Sequence, residues 1–166
     1  MRSWMMAAVV AVAVAAPAWA AEWTTVRDVE AGFTVRLPGD AKVTRGTSGA
    51  EAGNYHQVQY ELNSSDGGFL VTAVKFGVTL SEEQLTTALD RSVSAGTSAN
   101  GNVETARRTI RLGGVQGRDA EFRNGEARGW VRVFYRNGWL CTAVITQNPG
   151  MPPASATQAI ASFQPI

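Results

Sequence analysis

Residues 104–147 decide the fold: ETARRTIRLGGVQGRDAEFRNGEARGWVRVFYRNGWLCTAVITQ. Three dipeptides interrupt this stretch at close intervals, namely Gly113-Gly114, Asn124-Gly125 and Asn137-Gly138. Such dipeptides supply the positive φ angles that two-residue hairpin turns require. The residues between them are rich in β-branched and aromatic types, which favour strands. The stretch therefore predicts an antiparallel meander of four strands, at residues 104–112, 115–123, 126–136 and 139–147.

The short turns also predict which side chains face one another across the strands, because a two-residue turn sets the register. Three pairs of opposite charge are expected: Arg123 with Glu126, Glu121 with Arg128, and Arg108 with Asp119. Opposite charges at directly opposed positions stabilise a sheet. Their occurrence supports the predicted register.

Both faces of the predicted meander carry large apolar side chains. The first face holds Trp130, Phe134, Trp139, Cys141 and Ile145, and the second holds Phe122, Val131, Val133, Tyr135, Leu140 and Val144. An antiparallel sheet with one face in water would alternate more cleanly between apolar and polar residues. We therefore expect helices or N-terminal segments to cover both faces.

The second face also groups Arg107, Arg111 and Arg118 near one edge, and no acidic residue of the four strands is expected beside them. Like charges this close destabilise a sheet unless something offsets them. The side chains could be solvated or paired within the protein, with acidic residues from elsewhere such as Glu82, Glu83 and Asp90. Alternatively, an anionic ligand binds there, which makes the three arginines candidate anion-binding residues.

The remainder of the chain predicts further strands and two helices. Strands are expected at residues 23–29, 33–37, 54–62 and 69–78, while the Gly-, Ser- and Thr-rich stretch 41–53 is expected to form loops, with room for a short strand at 42–45. Ser81 and Gln84 make a capping box, so a helix is expected to begin there and to end at Gly96. A short helix is expected near the C-terminus, with Ala156, Ala159, Ile160 and Phe163 on one side.

The first twenty residues have the features of a secretory signal peptide. Arg2 supplies a positive charge, and residues 5–16 form an apolar run that is too short for a bilayer span of about 20 residues. Ala18-Trp19-Ala20 is a small-x-small cleavage site. Cleavage after Ala20 would leave one mature domain, 21–166, that is periplasmic or secreted and has no integral membrane segment.

Charge and the scarcity of reactive residues narrow the function classes. With 15 basic and 14 acidic residues, the chain lacks the basic excess of a nucleic-acid binder. Cys141 is the only cysteine and lies in an apolar strand, so we expect an inert packing role. His56 is the only histidine, and it shares a strand face with Val58 and Tyr60, so a half-buried structural role is expected. The sequence predicts no catalytic residue, metal ligand or cofactor.

Four segments resemble motifs of bacterial exported PsbP-like domains, a family named after the extrinsic P subunit of photosystem II. Residues 32–39 resemble its "GF-x-V-x-x-PG" entry, 114–122 its "G-x-x-G-x-E" strand, 132–139 its "R-x-x-x-x-x-N-x-x-Y" segment, and 159–163 its closing "FLxSF" helix. The resemblance implies a single-domain α+β fold, an α-β-α sandwich around a central antiparallel sheet. It transfers no catalytic residue, and members are typically accessory or binding proteins.

The expected function is therefore that of an exported, non-enzymatic binding or accessory module. Its partner would be an envelope protein or a small anionic ligand. Docking of a protein predicts an exposed aromatic patch at Trp130 and Trp139, and binding of a small anion predicts a concave site at the three arginines. The alternatives are an envelope hydrolase, which needs paired carboxylates in a cleft, and a lipid carrier, which needs an apolar cavity.

Overall fold

The computed structural model describes residues 22–50, 53–150 and 154–166. The predicted signal peptide, residues 1–20, lies outside the described residues. Ten strands and two α-helices follow one another in the order β1 (Thr24–Asp28), β2 (Phe33–Leu37), β3 (Lys42–Ala50), β4 (Gly53–Asn63), β5 (Gly68–Lys75), α1 (Glu82–Ser98), β6 (Val103–Leu112), β7 (Val115–Asn124), β8 (Ala127–Arg136), β9 (Trp139–Gln147), α2 (Ala154–Ser162) and β10 (Gln164–Pro165). The predicted α+β class is confirmed.

The strands form two antiparallel sheets. Seven strands make the larger sheet in the order β3-β4-β5-β9-β8-β7-β6, and three make the smaller sheet in the order β1-β2-β10. The predicted four-stranded meander is present as β6 to β9. Pairing of β5 with β9 joins this meander to the N-terminal strands. The sequence did not indicate the smaller sheet.

The two faces of the larger sheet are covered by different elements, as the apolar residues on both faces predicted. On the helix face, Leu89 and Val93 of α1 pack with Phe122, Val131 and Val133. The opposite face, which we call the hairpin face, is covered by β1, β2 and α2. Its core includes Phe33, Val35, Phe69, Phe134, Cys141, Ile145, Ile160 and Phe163.

One of the three meander turns differs from the predicted one. Arg108 faces Asp119 as expected, but Asn124 pairs with Ala127, so the turn between β7 and β8 consists of Gly125 and Glu126. Of these two residues only Gly125 has a positive φ, of 58°. A single glycine of positive φ in the first turn position is typical of a type II′ turn, whereas the prediction placed the two turn residues at Asn124 and Gly125.

This turn changes the cross-strand partners but not the faces. Arg123 faces Arg128, and Glu121 faces Trp130. The two charge pairs predicted here, Arg123 with Glu126 and Glu121 with Arg128, are therefore wrong. The faces are unchanged because the register moves by two positions, which preserves the alternation of side chains.

Helix α1 begins as predicted and ends later than predicted. The Ser81 Oγ accepts a hydrogen bond from the Gln84 amide, and the Gln84 side chain accepts one from the Ser81 amide. The helix continues past Gly96 to Ser98. A Cβ atom at Gly96 would lie 2.8 Å from Cγ2 of Val131. This glycine therefore permits close packing of α1 on β8 and does not terminate the helix.

Strand β3 replaces the loops expected over residues 41–53. It pairs with β4 along its length, from Lys42 opposite Glu61 to Ala50 opposite Gly53. Its residues from Lys42 to Thr47 are exposed, as befits an edge strand. Such a strand needs no apolar alternation, because its stability comes from backbone pairing with the neighbouring strand.

Removal of the N-terminal cap should weaken α1 measurably. We expect Ser81→Ala to lower the free energy of unfolding by about 1 kcal/mol, because the Gln84 amide loses its acceptor at the helix start. Urea unfolding followed by circular dichroism would measure the change. Thr87→Ala, at an exposed position inside the same helix, is the control, and an equal loss in both variants would contradict the capping role.

Candidate functional site

A cleft opens on the hairpin face between the β1–β2 turn, strands β3 and β4, and the first residue of β9. Its volume is about 260 Å³. The lining residues are Glu30, Arg45, Gly46, Thr47, His56, Gln57 and Trp139. We call it the Trp139 cleft. His56 is exposed here, so the prediction of a half-buried structural histidine is wrong.

A row of four side chains crosses the sheet beside this cleft, and two of them, His56 and Trp139, line it. His56 pairs with Lys75, Lys75 with Trp139, and Trp139 with Arg136, so all four project from the hairpin face. We call these four residues the basic row. The Trp139 ring is only 3% exposed, and the Lys75 Nζ lies over it, 5.7 Å from the ring centroid. This distance is within the range of a cation–π interaction.

One wall of the cleft is held by a buried carboxylate. Asp28, at the end of β1, accepts hydrogen bonds from the Ala31 amide at 2.9 Å, the Tyr60 hydroxyl at 2.8 Å and the Arg45 guanidinium at 2.9 Å. Arg45 also approaches Glu30, at 4.0 Å. These contacts tie the β1–β2 turn to β3 and β4, and they position Arg45 and Glu30 at the cleft.

The surroundings of Asp28 shift two pKa values in opposite directions. Burial alone would raise the pKa of the Asp28 carboxyl, but hydrogen bonds from Ala31, Tyr60 and Arg45 outweigh it and hold that pKa below 3.8. Burial, together with the hydrogen bond to Asp28, raises the pKa of the Tyr60 hydroxyl to about 12. At neutral pH the carboxylate is therefore charged and the phenol is a neutral donor.

Acid should destabilise the domain through Asp28. Because its pKa is lower in the folded than in the unfolded chain, the carboxylate stabilises the fold above the unfolded pKa of about 3.8, and this contribution disappears as the pH falls through the folded value. Asp28→Asn should cost about 1–3 kcal/mol at neutral pH by leaving buried donors unmatched. Urea unfolding should also show a smaller acid-induced loss of stability in this variant than in the wild type.

The exposed Asp40 supplies the control for this prediction. Asp40→Asn should retain the acid sensitivity of the wild type. The contribution of the Arg45–Asp28 ion pair to this stabilisation is expected to be small, because 53% of the Arg45 side chain is exposed and salt screens such pairs. An unchanged acid response in Asp28→Asn would show that the three hydrogen bonds do not couple protonation to stability.

Cys141 is placed for packing, as the sequence predicted. It is fully buried, and its Sγ donates to the Ala31 carbonyl oxygen at 3.4 Å. Burial, with a smaller effect of Asp28, raises the pKa of this thiol far above its ordinary value. In the described ranges no three His, Cys, Asp or Glu side chains are grouped to hold a metal ion.

The structure places the predicted anion-binding arginines together on the helix face but supplies two of them with acidic partners. Arg107 binds Glu104 at 2.6 Å, and Arg118 binds Asp90 of α1 at 2.8 Å. Arg111 is exposed. An anion there would compete with two carboxylates. Binding of an anion by Arg107, Arg111 and Arg118 stays a prediction.

The partner of Arg107 comes from β6 itself, contrary to the expectation that no acidic residue of the four strands lies beside the arginines. Residues three apart in a regular strand point to opposite faces. The register of β6 against β7 shifts between Glu104 and Ala106. This β-bulge adds one residue and turns Glu104 to the face of Arg107. Asp90, the partner of Arg118, is by contrast one of the acidic residues outside the four strands that were named from the sequence as possible partners.

The two predicted docking tryptophans lie in different environments. Trp139 is buried, so the exposed aromatic patch expected of both rings is not present. Trp130 is half-buried and packs against the core of the hairpin face. Docking of a protein at Trp130 stays a prediction. Trp139 contributes instead to the cleft.

A larger groove of about 570 Å³ runs along α1 on the helix face. Apolar atoms make up most of its surface, although polar and apolar residues both line it. The lining residues are Phe76, Leu80, Glu83, Gln84, Thr87, Ala88, Arg91, Ser92 and Leu140. Within the described ranges, no helix is long and apolar enough to cross a lipid bilayer.

Sequence reasoning missed Arg45 as a residue of the cleft, and Lys75 and Arg136 as members of the row beside it. The Asn137-Gly138 turn did indicate that Arg136 faces Trp139, because residues on either side of a two-residue turn are paired. No local signal placed Lys75 beside Trp139, since β5 and β9 are separated by α1 and three strands in the chain. Only their pairing assembles the basic row.

Comparisons with known proteins bear on the fold. No protein-family model matches the sequence, and no curated protein matches it either. Among solved structures, the fold is similar to the solution structure of cyanobacterial PsbP (CyanoP) from Synechocystis sp. PCC 6803, with a TM-score of 0.59 and 13% sequence identity. The match covers 94% of this chain and 97% of that chain. The fold is therefore PsbP-like, as the sequence resemblance implied.

Proposed function

We propose that this PsbP-like chain is an exported, non-catalytic binding module, with one mature domain at 21–166, and that it engages a ligand or partner at the Trp139 cleft. The signal-peptide features of residues 1–20 support export. The PsbP-like fold supports an accessory role, since the sequence motifs resemble a family of accessory and binding proteins.

The observation that carries the proposal is the distribution of carboxylates. The Trp139 cleft is lined by a single acidic residue, Glu30, and the groove along α1 by a single one, Glu83. A hydrolase that works with two carboxylates needs both in the same cleft. Asp119 and Glu121 do lie together, but the pocket they share measures only about 40 Å³, and Asp119 is held by two arginines. This arrangement favours binding over proton transfer.

The proposal can be tested by expressing the full chain in a Gram-negative bacterium and fractionating the cells. We expect the protein in the extracytoplasmic fraction, with the intact mass of a chain that begins at Ala21. A photo-crosslinking residue at Thr47, in the cleft, should then capture a molecule that the same residue at the distant, exposed Arg123 does not. An uncleaved cytoplasmic chain would contradict export, and equal capture at both positions would contradict binding in the cleft.

A further inference from the structure

The groove along α1 exposes apolar side chains to water. Phe76, Leu80 and Ala88 line it and are half-buried. Val78, which lies in the segment between Phe76 and α1, is 67% exposed. Apolar side chains grouped at a surface in this way favour burial against a partner. The groove is therefore a candidate docking surface.

The sheet beside the groove is covered unevenly by the described helices. Helix α1 packs chiefly on β7 and β8, whereas β4 and β5 lie on the other side of β9. Gln59, Leu70 and Thr72 project from the helix face of β4 and β5, and all three are half-buried. With Val144, Gln59 and Leu70 line a second depression of about 300 Å³. A further helix beside α1 would cover this half of the sheet.

The groove carries one acidic and one basic side chain on the same helix. Glu83 and Arg91 both line it and are exposed. Neither forms an ion pair within the part of the chain that the structure describes. They are separated by about 12 Å along the helix axis, at a rise of about 1.5 Å per residue, and so are too far apart to pair with each other. Thr87 lies midway between them and also lines the groove.

These positions are complementary to a second copy of themselves. When the α1 helix of another copy lies antiparallel in the groove, with Thr87 on the two-fold axis, Glu83 of each copy faces Arg91 of the other. A two-fold axis creates both pairs at once. Thr87 and Ala88 are small, so the helix axes can approach to about 8–10 Å. Ion pairs of this kind select the orientation, while burial of the apolar groove supplies most of the affinity.

We propose that the groove along α1 is the interface of a two-fold symmetric dimer, in which the α1 helices of two copies lie antiparallel between their two large sheets. The helix of each copy then extends over the β4 and β5 half of the other copy's sheet. The Trp139 cleft lies on the opposite face and stays open in this dimer. The inference is therefore independent of the proposed function, and its failure would leave export and crosslinking at Thr47 unaffected.

The test is sedimentation velocity of the purified protein at concentrations up to about 500 µM. We expect a monomer–dimer equilibrium with a Kd of about 100 µM or lower. Glu83→Arg and Arg91→Glu should each weaken the dimer at least about tenfold, because like charges then face each other at both symmetric contacts. An equimolar mixture of the two variants should associate again, because the two chains carry opposite charges at both contacts.

The matched control is Glu82→Arg. It makes the same change of charge in the same helical turn, at an exposed residue outside the groove lining. This variant should dimerise as the wild type does, and circular dichroism would verify that all variants are folded. In cells that express the full chain, a photo-crosslinking residue at Thr87 should give a product of twice the mass of the chain.

Four results would overturn the assignment. A wild-type protein that is monomeric at 500 µM would exclude the dimer. Equal weakening by Glu82→Arg would show that net charge and not the groove governs association. A mixture of Glu83→Arg and Arg91→Glu that associates no better than either variant alone would reject the antiparallel arrangement. A crosslink from Thr87 to a molecule other than this chain would assign the groove to a different partner.

Discussion

Replacing Asp119 by alanine should destabilise the domain by about 3–5 kcal/mol, the largest loss expected from any charged residue here. Asp119 is 6% exposed and receives two hydrogen bonds from Arg132, at 2.7 and 2.9 Å, and one from Arg108 at 3.0 Å. Without it, the Arg132 guanidinium, 12% exposed, has no counter-ion. Removing one partner of a buried ion pair is costly because the other charge stays desolvated.

The effect should extend to the C-terminal segment. The same Arg132 guanidinium donates to the carbonyl oxygens of Ile160 at 3.0 Å and Phe163 at 3.4 Å, so it connects β8 to the end of α2. Thermal and urea unfolding would measure the loss, which corresponds to roughly 10 °C in the melting temperature. Hydrogen exchange should report faster opening of α2.

Glu121 provides the control for Asp119. It lies two residues further along β7, on the same face, but it is exposed and has no ion pair within the described chain. Glu121→Ala should change the free energy of unfolding by no more than about 0.5 kcal/mol. If the two alanine variants were equally stable, the Asp119–Arg132 pair would not be the anchor of the C-terminal segment.

Replacing Phe163 by alanine should likewise cost about 3–5 kcal/mol, because it opens a cavity between the two sheets. Phe163 is fully buried. Its ring centroid lies 5.6 Å from that of Phe33 in the smaller sheet and 4.9 Å from that of Phe134 in the larger sheet. Neither sheet can move into the space without losing contact with the other, so little relaxation is expected. Urea unfolding with a fluorescence readout would measure the change.

Phe76→Ala removes the same atoms from a less enclosed place. Phe76 is half-buried and meets only Tyr135 among the rings, at 6.4 Å. We expect a clearly smaller loss, since part of the Phe76 side chain is already in water in the folded state. A loss in Phe76→Ala as large as that in Phe163→Ala would contradict a central packing role for Phe163.

Much of the fold could be predicted where neighbouring residues decide the conformation. The capping box at Ser81 and Gln84 acts within one helical turn, and the Gly113-Gly114 and Asn137-Gly138 turns act within a few residues. Their outcomes were confirmed for that reason. The prediction of the β7–β8 turn was wrong because Asn124-Gly125 suits two turn types that differ by one position. Nothing in the neighbouring sequence distinguishes the two types.

The candidate site was less predictable, because its residues come from distant parts of the chain. The sequence indicated unpaired charges at Arg107 and Arg118. In the structure, the β-bulge places Glu104 beside Arg107, and the packing of α1 places Asp90 beside Arg118. His56 looked half-buried from the pattern of β4, yet it is exposed at the cleft. In both cases the local sequence pattern was not sufficient, because the outcome depends on residues of other elements or on the β-bulge in β6.

The sequence by itself determined the local elements: the meander, the start of α1, the short C-terminal helix and the apolar character of both sheet faces. These follow from backbone preferences and from the alternation of side chains, which act over a few residues. Tertiary structure alone decided the β5–β9 pairing, the attachment of β10 to the smaller sheet, the contacts of Asp28 with Arg45 and Tyr60, and the Trp139 cleft. Each joins segments far apart in the chain, and such contacts form only when burial over the whole domain offsets the entropy of closing the loops between them.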